Sequence, residues 1–393
     1  MSAEQLTTRA EQLDAADPLA SWRDEFDVPD RELAYLDGNS LGMPPRRTLA
    51  RVTAMMRDGW AGELINGWEH WLELPQRVGD MLAPLIGAGP GEVVVHDSVT
   101  VNVYQLVRAA LTMNPGRRAI AIDPGDFPTD RYVVEGIAAA DGREVRHGFD
   151  QLDDVAVVLR SMIDYRTAEI VDIAAETARI TAGGALVIWD LSHAAGVHPV
   201  GLRAAGAQLA VGCTYKFLNG GPGSPAFAYV ASRHLEELTQ PIQGWLGSVD
   251  PFLMGPSYAP AEGVRRFLSG TPPIVGMLAL QDMLALLDEA GMDAVRTKSV
   301  ALTSYAVDVA DELLAPAGVV LASPRDPALR GGHVTLHHPL MREVTAALWE
   351  RDVIPDYRDP GGLRIGLFPL STSFEEVRRG LETVRETLDA LTA

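Results

Sequence analysis

The chain has 393 residues, enough for one large and one smaller domain. Its 33 basic and 53 acidic residues give a formal net charge of −20, which disfavours nucleic acid and anionic membrane surfaces as partners. The hydrophobic share of 47% is that of an ordinary globular protein. No apolar run approaches the roughly 20 residues of a membrane span, and the polar first residues do not resemble a signal peptide. We therefore expect a cytoplasmic protein.

Cysteine and lysine usage narrows the chemistry. The single cysteine, Cys213, excludes an intrachain disulfide and a thiolate metal cluster, and we find no metal-binding motif. Only two of the 33 basic residues are lysines, Lys216 and Lys298. A lysine amine can lose its proton and form an imine, whereas a guanidinium cannot. We interpret Lys298, which lies in a polar helical stretch, as an ordinary lysine, so that Lys216 is the candidate for catalysis.

Short apolar runs and helical patterns alternate along the first two thirds of the chain. Strands are predicted at residues 93–95, 119–122, 185–189 and 209–211, and helices at residues 101–111 and 152–163. This alternation is typical of an α/β fold whose strands are buried on both faces by helices.

The C-terminal part of the chain has a different pattern. Strands are predicted at residues 319–322, 333–336 and 363–367, and Ser373 with Glu376 forms a capping box before a final amphipathic helix. We therefore predict a smaller α+β unit here. The predicted division is an N-terminal arm over residues 1–45, a large domain over residues 46–277 and a small domain over residues 278–393.

An acid and a lysine stand at the ends of two neighbouring apolar runs. Asp190 follows ALVIW, and Lys216 follows LAVGCTY before a glycine-rich stretch. In an open parallel sheet, ligands bind at the carboxyl ends of the strands. A carboxylate that keeps a pyridine nitrogen protonated and an amine that forms an imine are the pair required to bind pyridoxal 5'-phosphate (PLP). The pair therefore predicts a PLP site.

Six motifs carry a more specific resemblance. They are YLDGNSLG (35–42), DSVTVNVYQL (97–106), DFPTD (126–130), DLSHAAG (190–196), CTYKFLNGGPG (213–223) and FLSGTPPI (267–274). With these motifs the chain resembles kynureninases, which belong to the fold type I, class V aminotransferase-like PLP enzymes. The resemblance implies a large domain built on a mainly parallel seven-stranded sheet with helices on both faces, and a smaller C-terminal α+β domain.

The resemblance also assigns roles to residues around the cofactor. It implies that Lys216 forms the Schiff base, that Tyr215 beside it binds the phosphate and assists proton transfer, and that Asp190 pairs with the pyridinium nitrogen. His193 matches a histidine that contacts the cofactor; on residue type alone it could equally be a core histidine. The other implied cofactor contacts are Val99, Thr100, Phe127, Pro128, Thr129, Asp130, Ser161, Trp245 and Thr271.

Substrate and partner contacts follow from the same motifs. Arg364, in GGLRIGLFPL, matches the arginine that binds the substrate α-carboxylate, a task for which its planar fork is suited. Asn39, Ser40 and Trp68 match residues on the aryl side of the family's pocket. Trp245 and Thr271 match positions supplied by a neighbouring subunit, which implies a homodimer with shared sites.

The implied reaction is hydrolytic cleavage of the Cβ–Cγ bond of L-kynurenine or 3-hydroxykynurenine in tryptophan catabolism. The chain departs from the family at Ser248, where histidine is common, and at Ala168, where glycine is usual. The first departure bears on the choice of aryl group. The alternatives are another class V PLP enzyme, such as an aminotransferase or a cysteine desulfurase, and a catalytically silent binding protein of the same fold.

Overall fold

The computed structural model describes residues 3–27 and 32–393, so residues 1–2 and 28–31 of the predicted N-terminal arm lie outside the described residues. The strands are β1 (Ala34–Tyr35), β2 (Val93–Val95), β3 (Ala119–Ile122), β4 (Glu144–His147), β5 (Val155–Ser161), β6 (Leu186–Asp190), β7 (Leu209–Gly212), β8 (Phe227–Val230), β9 (Val320–Leu321), β10 (His333–His337), β11 (Val353–Ile354), β12 (Asp356–Arg358) and β13 (Gly362–Gly366).

Helices separate most of the strands of the large sheet and cover the C-terminal sheet. They are α1 (Ala3–Ala16), α2 (Arg46–Ala54), α3 (Ala61–Glu63), α4 (Trp68–Trp71), α5 (Leu74–Leu82), α6 (Val99–Met113), α7 (Pro128–Asp141), α8 (Ile173–Ala182), α9 (Leu278–Ala290), α10 (Met292–Val309), α11 (Met341–Trp349) and α12 (Phe374–Thr392). Among the described residues, no helix combines the length and the apolar character that crossing a membrane requires.

The large sheet has seven strands in the order β2-β8-β7-β6-β5-β3-β4. Strands β3, β4, β5, β6 and β7 are parallel to one another, and β8 is antiparallel to both β7 and β2. Side chains of alternate residues enter two separate cores: Val93 and Val95 pack on one face with α5, α8 and α9, and Val94 packs on the other with α6 and α7. The predicted mainly parallel sheet with helices on both faces is confirmed.

One predicted element is wrong. Residues 152–163 were expected to form a helix, but Val155–Ser161 is strand β5, an interior strand of the sheet between β6 and β3. A strand that is buried on both faces has a continuous apolar run, and such a run shows no period that separates it from a buried helix. The three valines of this segment, at positions 155, 157 and 158, were the signal that favoured a strand.

The C-terminal sheet has four strands in the order β12-β13-β10-β9, all antiparallel. Val334 and Leu336 pack with Val377 and Leu381 of α12 in a third core. The predicted capping box of α12 is present, because the Ser373 hydroxyl accepts the Glu376 N–H and the Glu376 carboxylate accepts the Ser373 N–H. The smaller α+β unit is thus confirmed, whereas the domain boundaries at 45/46 and 277/278 stay predictions.

The N-terminal arm is held against this unit by a buried ion pair. The Nζ atom of Lys298, on α10, lies 2.7 Å from Asp17 Oδ2, and both side chains are buried. Burial lowers the pKa of Lys298, although the contact with Asp17 opposes this shift. Lys298 is therefore a structural residue with a specific partner, which its polar sequence context did not indicate.

We predict that Asp17→Asn destabilises the protein by about 3 to 5 kcal/mol, because the change leaves the buried Lys298 ammonium without a compensating charge. The matched control is Asp311→Asn, which removes an exposed ion pair with Arg325 and should cost less than about 1 kcal/mol. Urea denaturation of both variants measures the difference. Equal losses would show that burial of the Asp17 pair carries no extra stability.

Candidate active site

A cavity of about 180 Å³ opens at the carboxyl edge of the large sheet. The predicted site residues that line it are Val99, Thr100, Phe127, Thr129, Asp130, Ser161, Asp190, His193, Tyr215 and Lys216. They come from widely separated parts of the chain, so the fold brings together in one place most of the residues that the motifs pointed to.

Strand direction explains this convergence. Ser161 and Asp190 are the last residues of the adjacent parallel strands β5 and β6 and lie opposite each other in register. The next strand of the sheet, β7, is parallel to β6, and Lys216 comes four residues after its end, in the loop that follows it. Parallel neighbours end at the same edge of a sheet, so the three side chains approach one cavity.

The Lys216 amine contacts a histidine and an aromatic ring. Its Nζ atom lies 2.9 Å from His193 Nε2 and 5.7 Å from the centre of the Phe127 ring. Burial, followed by the nearby charge of Lys216, lowers the pKa of His193 well below its ordinary value. His193 is therefore a neutral imidazole in contact with the amine of Lys216, the predicted catalytic lysine.

The buried carboxyl groups of Asp130 and Asp190 lie next to each other in the cavity lining. Within the described chain no hydrogen-bond donor reaches either carboxylate oxygen of Asp130. Burial and the charges of Asp190 and Asp126 raise the pKa of Asp130 well above its ordinary value. The raised pKa favours the protonated form of Asp130, and the two carboxyl groups together offer polar oxygens to a bound group.

The start of helix α6 forms another wall of the cavity. Ser98 is the N-cap, and its hydroxyl accepts the Val101 N–H. Val99 and Thr100 belong to the first turn, whose backbone N–H groups have no acceptors within the helix. These N–H groups and the helix dipole make this wall suitable for an anion. Ser98, and not Thr100, is therefore the residue whose side chain caps this helix.

Arg364 lies next to this cavity rather than in its lining. It is almost fully buried, and its Nε donates to Asp356 Oδ1 at 2.7 Å while its Nη1 donates to the Tyr165 carbonyl. The Ser40 hydroxyl donates to Asp356 at 2.8 Å and accepts from Arg364 Nη2 at 3.3 Å. Arg364 thus has a fixed orientation, and Ser40 lies with the arginine group.

The remaining predicted residues do not line this cavity. Trp68 and Trp245 pack edge to face, with ring centres 5.4 Å apart. Thr271 is exposed. Asn39 is buried against Gly366, and a Cβ atom at position 366 would lie 1.8 Å from the side-chain oxygen of Asn39. Pro128 is the first residue of α7 and is outside the cavity lining.

Sequence reasoning missed three residues near the site: Tyr165, His333 and Asp356. Tyr165 lines the cavity and packs edge to face on Phe127, with ring centres 5.3 Å apart. Its position just beyond the end of β5 was hidden by the wrong helix prediction. His333 and Asp356 lie on polar faces of strands, and the alternation in HVTLH was the signal that could have indicated His333.

Ala168 adopts a left-handed backbone conformation, with a φ of +65°. This conformation explains the glycine that is usual at this position, since a Cβ atom makes positive φ costly. Ser248 is tied through its backbone, because its carbonyl accepts from Arg265 Nη2 at 2.7 Å.

Solved structures share this fold. Cysteine desulfurase from Thermococcus onnurineus NA1 superposes with a TM-score of 0.81 at 16% identity, covering 94% of this chain and 98% of that one. A C-DES mutant with glycine covalently linked to its PLP cofactor gives 0.77 at 19% identity, covering 91% and 100%. The chain therefore has the fold type I architecture of PLP-dependent enzymes.

Sequence relatives are more specific. The kynureninase from Deinococcus radiodurans is 43% identical over 96% of this chain and 95% of its own length, and that from Pseudomonas fluorescens is 41% identical over 98% and 97%. Residues 295–384 match the model of the kynureninase C-terminal domain. The chain belongs to the kynureninase family.

The half-buried acid Asp126 should make the stability of the protein depend on pH. Burial raises its pKa to about 7, so the folded protein keeps a proton that the unfolded chain loses near pH 4. Its contribution to stability is therefore lost as pH rises from about 4 to about 7. Asp126→Asn can still accept the Ser161 N–H. Its free energy of unfolding relative to the wild type should therefore rise by about 1 to 3 kcal/mol when the pH is raised from 5 to 8.

Urea denaturation at the two pH values checks this expectation. Glu135→Gln is the control, because this carboxylate is 47% exposed on α7. A stability difference between Asp126→Asn and wild type that stays constant with pH would contradict the assignment of a raised pKa.

Proposed function

We propose that this protein binds PLP at Lys216 and hydrolyses the Cβ–Cγ bond of L-kynurenine, releasing anthranilate and L-alanine. Membership of the kynureninase family at 41 to 43% identity over nearly the whole chain supports the reaction. The single observation that carries the proposal is the cavity in which Lys216 meets His193, Asp190 and the start of α6. We place the protein in the cytoplasm, in agreement with its composition.

The residues of the cavity fit this cofactor. The amine of Lys216 suits its aldehyde, the first turn of α6 suits its phosphate, and Phe127 offers an aromatic face. Asp130, buried without a hydrogen-bond donor in the described structure, and Asp190 provide two carboxyl groups for the polar edge of a ring. When bound, PLP supplies the electron sink for cleavage next to the α-carbon.

The chain supplies positioning and proton transfer. Lys216 would hold the cofactor, and its released amine would move the α-proton of the substrate. Arg364 would bind the α-carboxylate through Nη1 and Nη2, because Asp356 occupies the Nε edge. The substrate would share these donors with the Tyr165 carbonyl and the Ser40 hydroxyl. Asp190 would keep the ring nitrogen protonated, and His193 would hold the lysine amine in place.

A direct assay separates this reaction from the competing ones. Purified protein with PLP and kynurenine should release anthranilate and alanine in equal amounts without an added keto acid. An aminotransferase would require an amino-group acceptor and release no anthranilate. The desulfurase alternative is disfavoured, because burial raises the pKa of the Cys213 thiol and leaves it a poor nucleophile.

We predict that Lys216→Arg lowers turnover at least about 100-fold while the protein remains folded, because guanidinium retains the charge but cannot form an imine or act as a base. The matched control is Lys298→Arg, at the other lysine of the chain, which should retain turnover. Borohydride reduction of the wild type should attach pyridoxyl to the peptide that contains Lys216. Attachment to the Lys298 peptide would refute the assignment.

We infer that the active unit is a homodimer with shared sites. Trp245 and Thr271 are absent from the lining of the cavity of their own chain. Thr271 precedes a groove of about 530 Å³ lined by Met55, Trp60, Leu64, Ile65, Trp71, Pro272, Pro273, Ile274, Val275 and Gly276. Ile65 is 74% exposed there. Apolar surface of this kind is typical of protein interfaces and supports coverage by a second copy.

Complementation tests this sharing. Thr271→Asp should weaken cofactor binding by placing a negative charge near the phosphate of the partner's site. In a mixed dimer of Lys216→Arg and Thr271→Asp chains, one site would carry both defects and the other none. Random mixing should therefore restore about a quarter of wild-type activity. If Thr271 served its own chain, each site would keep one defect and mixing would restore nothing.

A further inference from the structure

His333 is a buried polar residue to which the proposed reaction gives no role. It is the first residue of β10 and is fully buried. Neither of its ring nitrogens makes a hydrogen bond within residues 3–27 and 32–393. The nearby Tyr165 carbonyl accepts a hydrogen bond from Arg364 Nη1 but makes none with His333. Burying an imidazole without partners is costly, so this side chain requires an explanation.

The register of the C-terminal sheet places His333 on the face that looks toward the active site. His333 is paired with Gly366, and Thr335 with Arg364, in the antiparallel ladder of β10 and β13. Directly opposed residues have side chains on the same face, so His333 shares a face with Arg364. Val334 and Leu336 point to the opposite face, into the core beneath α12.

A second histidine is adjacent to His333. The ring centres of His333 and His193 are 5.5 Å apart, and the planes are tilted by 52°. At this separation, two imidazole nitrogens that point at each other lie within hydrogen-bonding distance. His193 Nε2 contacts the Lys216 amine, and its Nδ1 makes no hydrogen bond in the described part of the chain. The two neighbouring rings thus each have a nitrogen without a hydrogen bond among the described residues.

The Lys216 contact determines which nitrogen of His193 carries the proton. An amine or ammonium at Lys216 has N–H groups in either charge state, and the ammonium can only donate. Opposite the ammonium form, His193 Nε2 must accept, which places the imidazole proton on Nδ1. In a buried site this Nδ1–H needs an acceptor, because no water-exposed surface satisfies it.

We propose that His333 is the positioning residue of the active site that accepts this Nδ1–H, fixing the tautomer and orientation of His193 and through it the Lys216 amine. His333 is suited to this role because burial, and then Arg364, lower its pKa to about 3, so the ring is neutral and keeps an unprotonated nitrogen. The charged groups that face it are Arg364, Asp356 and Lys216. The inference rests on the proposed function, since it concerns how Lys216 is held.

Substitutions at position 333 test the role. His333→Leu removes the acceptor and keeps an apolar side chain. With Nε2 of His333 as the accepting nitrogen, His333→Gln keeps an acceptor at similar reach, whereas His333→Asn keeps one only at the shorter reach of Nδ1. The control is His337→Leu, at the far end of the same strand and in the same alternation phase. Each protein is loaded with PLP, and two quantities are measured: the midpoint pH of the change in visible absorbance, and kcat and KM for kynurenine.

The leucine and asparagine variants should lower kcat about 10- to 100-fold, with little change in KM, on the scale of the loss seen when a group that orients a metal-binding histidine is removed. Their absorbance midpoints should shift from that of the wild type. The glutamine variant and His337→Leu should behave like the wild type. A purely structural role would lower thermal stability without moving the midpoint.

Two results would overturn the proposal. One is an unchanged midpoint and kcat in a folded leucine or asparagine variant. The other is equal impairment of the glutamine and asparagine variants, which would show that the ring packs and does not accept a hydrogen bond. If the wild type released no anthranilate, the proposed function would fail, but the absorbance midpoint would still test His333 with the cofactor alone.

Discussion

The common direction of strands β5, β6 and β7 is the constraint on which the site depends. Because these strands are parallel, Ser161, Asp190 and the loop that carries Lys216 emerge at one edge of the sheet. Strand β2 is antiparallel to β8, which is antiparallel to β7, so β2 ends at this edge as well and places the start of α6 there. A change of strand order would separate the amine, the acid and the anion-binding helix start.

Several polar groups of the site are buried at a cost in stability. Asp130 is held beside Asp190 with no donor for its oxygens among the described residues, and His193 is neutral next to a lysine. Such groups lower stability when the cavity has no bound partner, and a polar ligand that satisfies them recovers part of that cost. Similar departures from local rules are expected where function, rather than stability, determines the residue.

The fold alone does not select the reaction. The cysteine desulfurase from Thermococcus onnurineus NA1 superposes well at only 16% identity. In this chain the single cysteine is buried at the end of β7, where its thiol is a poor nucleophile. The distinction between chemistries therefore resides in side chains around a shared scaffold, among them the Asp356 carboxylate, which determines how Arg364 presents its guanidinium.

The sequence by itself determined the α/β class, the candidate lysine and acid, and the family. These features are local: apolar runs, a capping box and contiguous motifs keep their meaning without knowledge of distant contacts. It failed at β5, because a run that is buried on both faces has the same composition in a strand and in a helix. Only the tertiary structure decided that Lys298 pairs with Asp17 and that His333 adjoins His193, since these partners are far apart in the chain and meet through packing and strand register.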